Sequence, residues 1–330
     1  MDYEGKYPFF DFSQVKTYPL AERRNTLTQD GLVWPGALAK GELEFDSPEL
    51  RAVAKEILRC RREGRPVIWM LGAHPIKLGL SPLLIDLITR GLATLIATNG
   101  AGAIHDFELA LIGQTSEDVP NALPQGKFGM ARETGEYLHG VLAEAARLRI
   151  GLGEAVGRCL LGEEPFGEVQ FPFHHLSLLA AAYECGIPAT VHVGIGTDIT
   201  DQHPSFDGAA KGAASGRDFG IYVAEITNLT KGGVVLNIGS AVTGPEVLLK
   251  AVSLAANAGL PPRRLVTANF DLRPADRADV ADPTTPGYYQ RDLKSVVTRI
   301  PEAFRGKGYH IQANFAQSLP ALYRLLAEPK

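Results

Sequence analysis

Residues 67–74 read Val-Ile-Trp-Met-Leu-Gly-Ala-His, five apolar residues running straight into glycine, alanine and histidine. An apolar run of strand length with no polar alternation suits a strand buried on both faces. The same arrangement recurs downstream. Ala93-Thr94-Leu95-Ile96-Ala97 runs into Thr98-Asn99-Gly100, Ala189 to Val193 into Gly194-Ile195-Gly196-Thr197-Asp198, and Val234 to Ile238 into Gly239-Ser240. Leu265 to Thr267 runs into Ala268-Asn269, and Tyr309 to Ala313 into Asn314. Helical spacing fills the intervals: Ser47 to Arg62, Pro82 to Thr89, Glu133 to Arg149, His175 to Cys185, Phe219 to Leu229, Glu246 to Ala258 and Ala316 to Leu326. Apolar strands separated by helices predict an α/β fold, a doubly wound, mostly parallel sheet with helices on both faces. Ligands of such sheets bind beyond the carboxyl ends of the strands. Here small residues mixed with Asn, Asp, Thr and His stand at nearly every one of those ends, which outlines a ligand crevice.

Residues 1–45 carry Tyr7-Pro8 and Tyr18-Pro19 and read as an N-terminal arm that wraps the domain or reaches a neighbouring subunit. Residues 46–330 read as a single Rossmann-like domain. The formal charge of -4 and the lack of a basic cluster longer than Arg61-Arg62 argue against nucleic-acid binding. No run approaches the ~18–20 apolar residues of a membrane span. No apolar stretch of signal-peptide length opens the chain, so a cytoplasmic location is the default expectation. Cys60, Cys159 and Cys185 show no metal-ligand spacing and read as reduced core thiols; no metal site is expected.

Several local patterns have competing readings. Gly151-Leu-Gly153-Glu-Ala-Val-Gly157 has the wrong glycine spacing for a dinucleotide fingerprint and reads as a packing turn. His174-His175 suits a helix start, and His192, inside an apolar strand, suits a core histidine. His203 follows Asp198 and Asp201 and precedes Asp207, and a neighbouring carboxylate tunes histidine for acid/base work. Asp106 reads as a helix N-cap. Lys211 and Arg217-Asp218 lie in the Gly/Ala-rich stretch 208–220, which reads as a flexible lid or helix start, or as a surface charge pair.

Five ordered segments are together similar to deoxyhypusine synthase. They are Gly72 to Ile88, Thr94 to Glu108, Cys185-Gly-Ile-Pro188 leading to Gly196-Thr-Asp198, Lys231-Gly-Gly-Val-Val235, and the pair Thr267 to Asp271 and Gln312 to Pro320. The resemblance runs from about Gly72 to Leu326. It implies a Rossmann-like fold binding NAD in a deep crevice within a homotetramer, or at least a homo-oligomer. It places the cofactor against His74, Ile76 and Lys77, then Thr98, Asn99 and Gly100, then Thr197 and Asp198, Thr267 and Ala268, and Ala313 and Asn314. It also gives Asp106 a second role beside ribose or substrate amine.

The family's imine-forming lysine follows Gly-Gly-Val-Val, where this chain has Leu236. Leucine forms no imine, and Lys231 lies ~16 Å away along an extended strand. The expectation is therefore an NAD-binding protein that oxidises a small molecule without a lysine imine, with His203, Asp198 and Asp106 nearest the chemistry. A non-catalytic nucleotide-binding or assembly protein is the alternative. A deoxyhypusine or homospermidine synthase would need Lys231 or Lys250 to reach the crevice.

Overall fold

In the computed structural model, which describes residues 3–38, 43–167, 169–275 and 277–327, the run at 67–71 is a central strand of a six-stranded sheet. The elements in chain order begin with β1 (Asn25–Leu27), α1 (Pro48–Glu63), β2 (Val67–Leu71), α2 (His74–Lys77), α3 (Ser81–Thr89), β3 (Leu95–Asn99) and α4 (Gly100–Ile112). Then follow β4 (Thr115–Glu117), the single turn α5 (Val119–Ala122), α6 (Arg132–Leu148), α7 (Leu152–Leu160), α8 (Leu178–Glu184), β5 (Ala189–His192) and α9 (Gly208–Thr227). The chain closes with β6 (Val234–Ile238), α10 (Thr243–Asn257), β7 (Val266–Asp271), α11 (Arg277–Ala281), a π-helical segment Leu293–Arg299, α12 (Ile300–Ala303), β8 (Lys307–Gln312) and α13 (Phe315–Ala327).

The large sheet has the order β5-β3-β2-β6-β7-β8, every pairing parallel. Counting only its own strands, that is 3-2-1-4-5-6, the order of the dinucleotide-binding doubly wound sheet. The expected fold class is therefore the one observed. Leu83, Leu87 and Ile88 of α3 bury against one face, together with Trp69 and Leu71. Leu248, Val252 and Ala255 of α10 bury against the other, with Ile68, Met70 and Tyr222. Each such side chain contributes about 1.5–3 kcal/mol when taken fully from water. Connections leave β2 and β6, the central pair, towards opposite faces, so the sheet's switch point lies between them.

Local sequence explains the element boundaries. Ser47 caps α1 by accepting from Leu50 N at 3.1 Å, Pro48 starts it, and Gly64 ends it at a φ of 61°. Several boundaries differ from the sequence reading, three of them instructively. β3 runs to Asn99, two residues further than its apolar run, because Asn99 pairs with His192 of β5 and then caps α4. β7 continues through Asn269 to Asp271, since the Asn269 side chain is satisfied inside the fold by Asn237 and Asp292. The stretch 208–220 is a helix start and not a lid: α9 begins at Gly208, capped by Asp207, and both Lys211 and Asp218 are buried, not a surface charge pair.

Of the N-terminal arm, Met1, Asp2 and residues 39–42 lie outside the described residues. The described part is pinned to the body. β1 pairs antiparallel with β4, Tyr18 bridges Ala131, and the buried Arg23 donates to Glu108 at 2.6 Å. Cys60 and Cys159 are buried as expected, whereas Cys185 is exposed just past the end of α8; all three are free. Among the described residues no helix is long and apolar enough to cross a membrane.

Candidate functional site

The carboxyl ends of β2 and β6 touch. Gly72 N donates to Ile238 O at 2.8 Å, and a Cβ on Gly72 would overlap the Gly239 carbonyl. Gly239 itself turns at a φ of 74°. Only glycine fits this approach, so the pair brings two backbone turns together at the switch point. Beside it lies a narrow slot whose walls include Leu71, Thr98, Asn99, His192, Tyr222 and Ser240. Its enclosed part, about 10 Å³, holds about one water, so a larger ligand must lie along the rim above it.

The rim carries its charge at Asp198. Lys211 Nζ, from α9, donates to Asp198 Oδ2 at 2.7 Å and to Asp201 Oδ1 at 2.5 Å, and all three side chains are buried. Asp201 Oδ2 accepts from Gly196 N at 2.7 Å and Asp198 N at 3.3 Å, which folds the Gly194 to Asp201 turn onto itself. Burial, with Asp201 close by, holds the Asp198 carboxyl above its ordinary range despite the Lys211 ammonium. Gly100, at the start of α4, packs so closely on Asp198 that a Cβ there would overlap its carboxylate. The β3 and β5 ends are thereby locked to one another. Sequence reading ranked Lys211 as a surface residue. Of the readings of 208–220, the helix start is the one observed, and it carries Lys211 inward from the first turn of α9.

Of the expected cofactor neighbours, His74 and Lys77 stand on the turn after β2, His74 exposed and Lys77 half-buried. His105 of α4 feels the positive field of both, and burial first, then those charges, lower its pKa to about 4. Asn99 Oδ1 accepts from Gly102 N at 2.8 Å, and Thr98 donates to Leu71 O at 2.9 Å. Thr197 is exposed, its hydroxyl donating to Gly194 O. Ala313 and Asn314 stand past β8, where Asn314 Oδ1 caps α13 through Ala316 N.

Other expected residues are placed elsewhere. Thr267 and Ala268 are fully buried inside β7, below its carboxyl end, and the Thr267 hydroxyl donates to Val296 O at 2.5 Å. The Ile76 side chain is core, leaving only its backbone for a ligand. Asp106 points away from the rim and caps α8: it accepts from Ser177 Oγ and from Leu178 N at 2.7 Å and Leu179 N at 3.2 Å. It is therefore not the N-cap of its own helix, a place Asn99 takes, but a brace from inside α4 to the start of another, with burial pushing its pKa up to about 6. His203 is enclosed at 1% exposure, with Nε2 2.7 Å from Gly129 O and no carboxylate in contact. Burial lowers its pKa, against the Gly129 carbonyl and the more distant Glu136.

The other histidines and glycines singled out in the sequence have partners within the fold. His192 packs edge-on to Tyr222 and meets Thr190 Oγ1 at 3.1 Å. His174 bonds back to Phe171 O at 3.0 Å in a 3₁₀ turn, and Ser177, not either adjacent histidine, caps α8. Gly153 packs against the Ala189 carbonyl, and Asp218 accepts from Gly153 N at 3.0 Å and Val191 N at 2.8 Å. Among the described residues no group of three His, Cys, Asp or Glu side chains is arranged to hold a metal.

No known protein family matches the sequence, and no curated protein matches it. Solved structures do resemble it. A conserved LOR/SDH protein from Methanococcus maripaludis S2 is 17% identical, over 88% of this chain and 73% of that one, with a TM-score of 0.49. ArgZ, an arginine dihydrolase from the ornithine-ammonia cycle in cyanobacteria, is 16% identical over 85% of this chain, with a TM-score of 0.47. AgrE, solved as a ternary complex with ornithine and NAD+, is 14% identical over 87% of this chain, with a TM-score of 0.48. The chain spans about a third of the length of ArgZ and AgrE, 33% and 34%. None of the three is named as a deoxyhypusine synthase. What these comparisons share with the chain is an overall likeness of fold.

Proposed function

We propose that the protein binds NAD along the carboxyl rim of β2, β3 and β6 and uses it to oxidise a small molecule without a lysine imine. The observation that carries this reading is the strand order, with its switch point between two strands whose closing glycines touch. In this topology a dinucleotide lies across that crevice, its pyrophosphate near the turn after the first strand. That turn holds Lys77, whose charge suits phosphate, and His74, whose ring can donate to it. An acidic residue commonly meets the ribose beyond the second strand. Asn99 stands there and does not repel a 2′-phosphate, so NADP is the necessary control.

The remainder of the reading concerns the reacting end. Leu236 occupies the lysine place and is fully buried in the middle of β6. Lys231 stands at the opposite, amino end of that strand, and Lys250 lies on the outer side of α10, paired with Glu246. Neither reaches the rim. Lys211 is committed to two carboxylates, and Asp198 is the acidic group left to orient a substrate amine or hydroxyl. In the same reading residues 46–330 form one domain, supported by a sheet drawing strands from Val67 through Gln312, and the chain assembles as a homotetramer or dimer.

Calorimetric titration with NAD, NADP and ATP tests the cofactor, with light scattering on the same sample for the assembly. Selective binding of NAD at one site per chain, weakened in Asp198→Ala, is the expected result. Absence of binding by every nucleotide sinks the proposal. Because Leu236 replaces the lysine, a non-catalytic nucleotide-binding role is the second reading. It is favoured if bound NAD is never reduced across a panel of amines and hydroxy acids.

A further inference from the structure

At the opposite pole of the sheet, where β2, β6, β7 and β8 begin, five basic side chains converge. Arg65, Lys231, Arg263, Arg264 and Arg305, with the ring of Phe304, line a basin of about 750 Å³. That volume lies within the ~300–1,000 Å³ of small-molecule sites. The cations come from four separate parts of the chain, so no basic run marks them in the sequence. The whole protein has a formal charge of -4, so this concentration is local.

Their charge is largely uncommitted. Glu63 engages Arg59 and Arg65, at 2.9 and 2.8 Å, and Arg65 also donates to Lys231 O at 2.5 Å. Lys231, Arg263, Arg264 and Arg305 have no ion pair among the described residues and are exposed. The backbone beneath them is fixed. Arg263 N donates to Leu229 O at 3.1 Å, and Arg264 N to Phe304 O at 2.9 Å. Arg264 and Arg305 have φ values of 50° and 54°, a left-handed conformation that costs a non-glycine residue on the order of 1 kcal/mol or more. Two arginines thus hold that conformation on one concave surface, in place of the glycine or asparagine that suit it.

We infer that this basin is a second ligand site, for a small molecule carrying a chain of phosphates. Several guanidinium groups around one hollow match the paired oxygens of successive phosphates, each capable of a two-pronged charge-assisted contact. A single hollow with its cations gathered round it fits a compact polyanion better than the long basic track a nucleic acid strand follows. The phosphates come either from an inorganic chain or from a nucleotide, whose base would rest on Phe304. The basin is a strand length, roughly 17–20 Å, from the crevice rim, so it is separate from the proposed NAD site.

The test is calorimetric titration of the full chain with sodium tripolyphosphate, with ATP and with a single-stranded oligonucleotide, at low and physiological ionic strength. The control variants are Arg264→Gly with Arg305→Gly, since glycine relieves the left-handed backbone and preserves the fold, checked by circular dichroism. Expected is one tripolyphosphate per chain, weakened at least about tenfold in the double variant and unaffected by Asp198→Ala. Tighter binding of ATP than of tripolyphosphate identifies a nucleotide; the reverse identifies an inorganic chain. Absence of binding at low ionic strength, equal binding by the double variant, or a preference for the oligonucleotide each overturns the inference.

Discussion

Asp198 Oδ2 and Lys211 Nζ lie 2.7 Å apart with both side chains out of solvent, joining the turn after β5 to the first turn of α9. With Asp201 on the other side, one ammonium serves two carboxylates. Breaking a buried pair from one side leaves uncompensated charge, worth about 3–5 kcal/mol. Lys211→Met is therefore expected to lower stability by about that amount at neutral pH. With the ammonium gone, the Asp198 carboxyl, already raised by burial, rises further in the folded state. A raised folded pKa gives stability present at low pH and lost as pH rises through it, so the penalty shrinks on acidification. Urea unfolding of wild type and variant at neutral pH and at about pH 5 checks both points; a penalty independent of pH would refute the account.

Gly100 tests the same junction from the β3 side. A methyl group there overlaps an Asp198 carboxylate that Lys211 holds in place, so the carboxylate cannot simply swing aside. Gly100→Ala is expected to cost about 1–3 kcal/mol, as overpacking does. It also weakens NAD binding, because it displaces the rim. Thermal unfolding and NAD titration read the two effects. An unchanged midpoint would show that the turn relaxes more easily than the packing implies.

The sheet was legible because its strands are buried on both faces and so read as uninterrupted apolar runs; Val67–Leu71 and Val234–Ile238 match residue for residue. Polar positions obscured the rest. Asn99 and Asn269 look like strand ends in one dimension, yet each is satisfied by partners far along the chain or by capping the next helix. That moved Thr267 and Ala268 from the rim into the sheet. The Lys211 cluster was hidden by a glycine- and alanine-rich helix whose propensity signal is weak. His203 drew attention through carboxylates near it in sequence, but its imidazole turns to the Gly129 carbonyl instead.

Arg23 is the clasp of the N-terminal arm. Its guanidinium donates to Glu108 at 2.6 Å, and Glu108 also accepts from Thr115 at 2.6 Å and Thr134 at 3.0 Å. Burial alone would push the Glu108 carboxyl up; the Arg23 contact, helped by Thr115, outweighs it and holds it below the ordinary glutamate value. Stability from a depressed carboxyl is present above the unfolded pKa and lost as pH falls through the folded one. Arg23→Met is thus expected to lose about 3–5 kcal/mol at neutral pH. It should also expose the stretch around Tyr18 to limited proteolysis, while the contribution of Glu108 fades only below about pH 4.5. Wild-type protease resistance in the variant would contradict the clasp.

His192, in the wall of the rim slot, isolates one term of the acid response. Burial lowers its pKa from 6.5 to about 4. The neutral ring is favoured in the fold, so its stabilisation is complete above about pH 6.5 and is lost as pH falls towards 4. Full expression corresponds to roughly 3 kcal/mol. His105 and His139, both also near 4, act in the same direction. Asp106 and Asp218, raised by burial to about 6 and about 7, act oppositely and favour the fold on the acid side. The wild-type curve alone therefore cannot assign the loss, but the difference between wild type and His192→Phe can. The substitution keeps a ring against Tyr222 and removes the titration, so its stability falls less steeply than wild type between pH about 6.5 and 4. Parallel curves from urea unfolding across that window would show that His192 protonates in the folded protein without penalty.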